Sequence, residues 1–122
     1  MNALQNLTGR RILIVEDDYL LAWDTGDALC KAGAEIVGPV ANEDDALAAI
    51  RRGNLHAAVT DINLGCGPSF ETARALQSAD IPFVFLTGYD QLSIPEEFHA
   101  VPRLTKPIDA KQIARELTRV LK

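Results

Sequence analysis

"RRILIVEDDYLLAWDTGDAL", residues 10–29, decides the fold. Four aliphatic residues, Ile12 to Val15, run straight into three acids, Glu16, Asp17 and Asp18. A short unbroken apolar run has the length of a strand buried on both faces. Beyond the acids, Leu21, Ala22, Thr25, Ala28, Leu29 and Ala32 share one helical stripe that Gly33 ends. The stretch therefore reads as a strand passing through carboxylates into a helix. Adjacent carboxylates repel where the core closes, so a positive group is expected among them.

The same alternation continues along the chain. "HAAVTDI" and "PFVFLT" are strong strand patterns, "EIVGPV" a weaker one with Gly38 and Pro39 inside it. "AVPRL" carries Pro102 and Arg103 and suits an edge strand. Helical stripes lie between them. Ala46, Leu47 and Ile50 form one, ended by Gly53. Phe70, Ala73 and Leu76 form another, with Ser69 as an expected cap. Ala110, Ile113, Ala114, Leu117 and Leu121 form the last, capped by Asp109. Residues 90–98 read as a short helix or loop. Five strand–helix repeats predict a mostly parallel sheet with helices on both faces.

The totals are consistent with this reading. A chain of 122 residues makes one domain and needs no disulfide or metal to hold it. Residues 1–9 read as a loose N-terminal arm and residues 10–122 as the domain. Cys30 and Cys66 are too few for a disulfide framework, and free thiols suit a cytoplasmic protein. No segment has the length of a bilayer span or a signal peptide. A net charge of −5 with scattered Lys and Arg argues against nucleic-acid binding.

Chemistry in an open parallel sheet collects at the carboxyl ends of the strands. The first run ends in Glu16 and Asp17, the third contains Asp61, the fourth ends in Thr87, and Lys106 follows the fifth. Acids from two strands suit a hard cation such as Mg²⁺. A hydroxyl and an ammonium suit phosphoryl oxygens, and Asp61 could then attack phosphorus to give an acyl phosphate. Other candidates read as structural. Asp18 sits where it favours the dipole of the first helix, and Glu43, Asp44 and Asp45 open the second at its solvent face. Thr60 reads as strand packing, His56 and His99 as boundary residues, and Trp23 as surface packing or interface.

In this order and spacing, "ILIVEDD", "AAVTDINLG", "FLTG" and "LTKPI" resemble the receiver domain of two-component response regulators over nearly the whole chain. The resemblance implies a (βα)5 sheet of strand order 2-1-3-4-5 with five helices, and a cis bond before Pro107. It implies Mg²⁺ held directly by Asp17 and Asp61, by Glu16 mainly through water, and by the Asn63 carbonyl. Asp61 would be the phosphoacceptor, with Thr87 and Lys106 holding the phosphoryl group. Such a protein is not a conventional enzyme: it phosphorylates itself from phosphohistidine with Mg²⁺ and slowly dephosphorylates. The partners implied are a histidine kinase or histidine phosphotransferase and a downstream target protein, with no nucleic acid and no membrane, in a monomer or weak dimer. A stand-alone receiver signalling by docking or phosphorelay is the expectation. The alternatives are a pseudo-receiver binding module or the receiver fragment of a longer regulator. A haloacid-dehalogenase-type phosphatase is disfavoured, because it would show Asp-x-Asp after its first strand.

Two departures stand out. In the family an aromatic residue usually lies three positions before the lysine, where this chain has Arg103. "PFVFLTGYD" is a shortened match to a subgroup motif of alphaproteobacterial receivers, phenylalanine-alanine-threonine-glycine-hydrophobic-tyrosine. Arg103 is expected to stay in solvent, and Tyr89 to sense movement of the Thr87–Gly88 loop.

Overall fold

The computed structural model describes residues 6–65, 67–88 and 94–121. Tyr89 and Cys66, singled out above, lie outside the described residues. Five strands form one parallel sheet: β1 (Arg11–Val15), β2 (Glu35–Val40), β3 (Ala57–Asp61), β4 (Phe83–Thr87) and β5 (Arg103–Thr105). Their order is 2-1-3-4-5, as expected, with β5 at one edge. The crossovers carry α1 (Tyr19–Lys31), α2 (Glu43–Arg52) and α3 (Glu71–Ser78), and α4 (Ala110–Val120) follows β5.

Alternation along each strand sends neighbouring side chains to opposite faces, and this divides the core in two. Leu13, Val15, Ala58, Phe83 and Phe85 point to the side of α2 and α3, where Ala46, Ile50, Ala73 and Leu76 meet them. Ile12, Ile14, Val59, Val84 and Leu86 point to the side of α1 and α4, against Leu29, Ile113 and Leu117. Phe70, Phe83, Phe85 and Phe98 form a single ring cluster on the first side. The central strands β3 and β4 are buried at every position, which fixes the depth of their carboxyl ends.

The helix signals hold in most places. Asp18 caps α1 by accepting from the amides of Leu20 and Leu21. Asn42 caps α2. Asp109 caps α4 in a reciprocal box with Gln112. Ser69 is not the cap of α3. Phe70 occupies that position, and the Ser69 hydroxyl donates to Glu43 Oε2 on α2, leaving only a long 3.4 Å contact from the Glu71 amide.

Two features differ from expectation. Instead of a fifth α-helix, the described part of the β4–β5 crossover holds one 3-10 turn, Glu96–Phe98. Pro95 enters it with extended ψ of 144°, and Pro102 offers no N–H to continue it. Only a few residues separate the two prolines. The expected loose arm, residues 1–9, packs on the domain at Leu7. Leu7 is fully buried in the α1–α4 cluster, and its amide donates to the Ala32 carbonyl at 2.9 Å. Gly33, φ +98°, makes room for this turn: a Cβ there would meet the Thr8 hydroxyl oxygen at 2.5 Å.

The cis bond expected at Lys106–Pro107 is present, as is a second at Gly38–Pro39. No helix among the described residues is long and apolar enough to cross a membrane.

Candidate functional site

Parallel strands bring every carboxyl end to the same edge of the sheet. Glu16 and Asp17 follow β1, Asp61 ends β3, Thr87 ends β4, and Lys106 follows β5. The register pairs Thr87 with Thr105, so Lys106 emerges next to Thr87, and its amide donates to the Thr87 carbonyl at 2.8 Å.

The expected cation among the carboxylates is Lys106. Its Nζ lies 2.6 Å from Asp61 Oδ2 and 2.8 Å from Glu16 Oε1. The Asp61 contact is an aligned hydrogen bond, whereas the Glu16 contact is a close ion pair without that alignment. Both carboxylates are almost fully buried, with side chains 1% and 5% exposed. Their remaining oxygens are also engaged. Glu16 Oε2 accepts from the Asp18 amide at 2.9 Å, and Asp61 Oδ1 accepts from the Asn63 amide at 2.9 Å.

Burial governs the electrostatics. It pushes the Glu16 carboxyl up to about 7, against the downward pull of Lys106 and the Asp18 amide. Burial alone would lower the Lys106 ammonium. The hydrogen bond to Asp61 and the close ion pair with Glu16 outweigh it and hold Lys106 above its ordinary value.

Asp17 completes the cluster from the solvent side. Glu16, Asp17 and Asp61 each offer one carboxylate oxygen, all within 4.8 Å of one another. An all-oxygen donor set with an exposed member fits a hard divalent cation that keeps waters. Gly65 lies over Asp17: a Cβ at that position would sit 3.5 Å from Asp17 Oδ2. Asn63 shapes the same loop with its side chain, whose oxygen accepts from the amides of Gly65 and Gly67 at 2.8 and 3.2 Å.

All the residues singled out in the sequence as Asp61, Glu16, Asp17, Thr87, Lys106 and Asn63 thus stand at one edge. Arg103 does not join them. It is exposed on edge strand β5. Thr105 was not anticipated, yet the Thr87 hydroxyl donates to its hydroxyl across 3.4 Å. Its place just before Lys106 in "LTKPI" was the available signal. His56 and His99 are held structurally: His56 Nδ1 accepts from the Arg11 amide, and His99 Nε2 meets the Ile94 carbonyl, both at 2.9 Å.

Comparison with known sequences decides the family. Residues 12–118 match the response regulator receiver domain. The chain belongs to that family. This receiver is 34% identical over 113 residues to a response regulatory protein of Yersinia pestis, and 31% identical over the same length to the transcriptional regulatory protein BtsR of Salmonella typhi. Those matches cover 90% of the receiver but 48% and 47% of the relatives, so the chain spans about half their length. Among solved structures, SdrG from Pseudomonas melonis Fr1 in its BeF3-activated conformation is 38% identical, with a TM-score of 0.76 and both chains covered in full. The receiver domain of the hybrid histidine kinase CckA, 23% identical with a TM-score of 0.75 over 92% of this chain and 99% of its own, shares the fold. The protein is thus the receiver of a two-component response regulator.

Proposed function

We propose that this receiver accepts a phosphoryl group from a phosphohistidine donor onto Asp61 and signals by docking to another protein or by passing the group on. The observation that carries the reading is the pairing of buried Asp61 with Lys106 beside a carboxylate cluster that suits a divalent cation. In the transfer, one Asp61 carboxylate oxygen bonds to phosphorus. The phosphorus–nitrogen bond to the donor imidazole breaks, and its electron pair stays on the imidazole. Lys106, already at Asp61, neutralises charge on the incoming phosphoryl oxygens, and the Thr87 hydroxyl turns from Thr105 to donate to another. Asp17 and Asp61 would hold Mg²⁺, with the Asn63 carbonyl and, through water, Glu16. The cation would supply further charge neutralisation as negative charge spreads over the phosphoryl oxygens.

The donor class is a histidine kinase or histidine phosphotransferase. The test is labelling from acetyl phosphate with Mg²⁺. Wild-type protein takes up one acid-labile phosphoryl group at Asp61, and Asp61→Asn takes up none. Undiminished labelling of Asp61→Asn, mapped to another residue, overturns the assignment.

A further inference from the structure

Thr87 ends β4 with β3 on one flank and β5 on the other. On the β3 flank the register sets Asp61 opposite Leu86, the residue before Thr87, and the Ile62 amide donates to the Leu86 carbonyl at 3.1 Å. On the β5 flank it sets Thr87 opposite Thr105. Partners in a parallel pair share a face of the sheet, and here both carry a hydroxyl. The Thr87 hydroxyl is turned to the β5 flank, where it donates to the Thr105 hydroxyl across 3.4 Å. A phosphoryl group on Asp61 would be carried by β3. The hydroxyl thus has two destinations, and at rest it takes the one on β5.

The backbone leaves the side chain as the moving part. The Lys106 amide donates to the Thr87 carbonyl at 2.8 Å, which ties the two strand ends together, and β4 is buried at every position. One torsion moves the Thr87 hydroxyl between staggered wells, and a single step is enough to leave Thr105. Arg103 shares the face of Thr105 two positions earlier and is exposed. At 3.4 Å the contact is longer than an ordinary bond between hydroxyls, and Thr105 is itself exposed. Such a contact is readily exchanged for a charge-assisted bond to a phosphoryl oxygen, which is shorter and roughly twice as strong.

We propose that Thr105 is a positioning residue that holds the Thr87 hydroxyl on the β5 flank at rest and so sets how readily the phosphorylated state forms. The inference rests on phosphorylation at Asp61 as proposed above. The Thr87 hydroxyl has a single proton, so it cannot donate to Thr105 and to a phosphoryl oxygen together. The contact therefore stabilises the resting state alone. Capture of a phosphoryl group, or of its mimic, is weakened by the factor that the contact contributes to that state. The factor is small, because at an exposed edge water replaces part of what is lost.

The experiment titrates beryllofluoride, as the phosphoryl mimic, into the full chain in Mg²⁺ and reads half-saturation from backbone amide shifts. Thermal unfolding is recorded for each variant. Thr105→Val keeps the shape, removes the hydroxyl, and is expected to bind about two- to five-fold more tightly than wild type. Thr105→Ser keeps the hydroxyl and should bind as wild type does. In a Thr87→Ala background no hydroxyl remains to be held, and Thr105→Val should change nothing. Unchanged or weaker binding by Thr105→Val overturns the hold, as does a gain of the same size in the Thr87→Ala background. A Thr105→Ser protein that gains as much as Thr105→Val also overturns it, since the hydroxyl would then not be what matters. In each of these cases saturation of the wild type leaves phosphorylation at Asp61 standing. A wild-type chain that captures no beryllofluoride overturns both readings together.

Discussion

Glu16 keeps a carboxylate in a place where water barely reaches, against Lys106 and beside Asp61. Its folded value of about 7 lies above the ordinary 4.5, chiefly because burial disfavours the charged form. The native state therefore binds a proton more tightly than the unfolded chain between these values. This contribution to stability is fully present below about pH 4.5 and is lost as pH rises through 7, a cost of a few kcal/mol at most. In EDTA, urea unfolding should show this decline, and Glu16→Gln should flatten it and be the more stable protein at pH 8. Loss of stability in Glu16→Gln at pH 8 would contradict this account. Arg103 makes a complementary case. An exposed guanidinium on β5 takes no part in the cluster, so Arg103→Ala should leave phosphoryl uptake unchanged. Labelling of both proteins from acetyl phosphate with Mg²⁺ measures this. The cluster residues were legible because each acid, hydroxyl or ammonium lies within two positions of a strand end, and strand ends can be read from periodicity. The Glu43–Ser69 contact was not, because Glu43 resembles any acid in a helix's first turn and Ser69 resembles a cap. Only the packing of α2 beside the β3–α3 loop separates these meanings.

At the scale of elements, the N-terminal turn and the β4–β5 crossover teach different lessons. Leu7 lies in a stretch without periodicity, and a single apolar residue gives no pattern to read. Its burial depends on a pocket made by α1 and α4, remote in sequence. Leu7→Ala should cost about 2–5 kcal/mol, as for a buried leucine elsewhere, and denaturant unfolding would show it. A surface-like change below about 0.5 kcal/mol would mean the turn is not docked in solution. Of residues 90–98, which read as a short helix or loop, the described part carries the Glu96–Phe98 turn, set between Pro95 and Pro102. By contrast α4 was predictable at both its face and its start. Asp109→Ala should remove the capping box and cost about 1 kcal/mol. Circular dichroism melts would register the loss.

For the molecule as a whole, the parallel sheet gathers like charges at one end, and a ligand specific to the folded state should repay the repulsion. Mg²⁺ at a hundred times its dissociation constant should add about 2.7 kcal/mol to the stability of the native state. Thermal melts with and without Mg²⁺ should differ by several degrees in wild type and hardly at all in Asp17→Asn. An unchanged shift in that variant would remove Asp17 from the metal site.

The sheet also sorts the chromophores. All four phenylalanines cluster on the α2–α3 face, while Trp23 and Tyr19 stack in solvent on α1, six and two positions past Asp17. The two sides of the molecule can therefore be watched by different spectroscopic signals. Ring-current shifts in proton spectra follow the packed side. Emission from the lone tryptophan, 65% exposed and open to acrylamide quenching, follows whatever settles on the other.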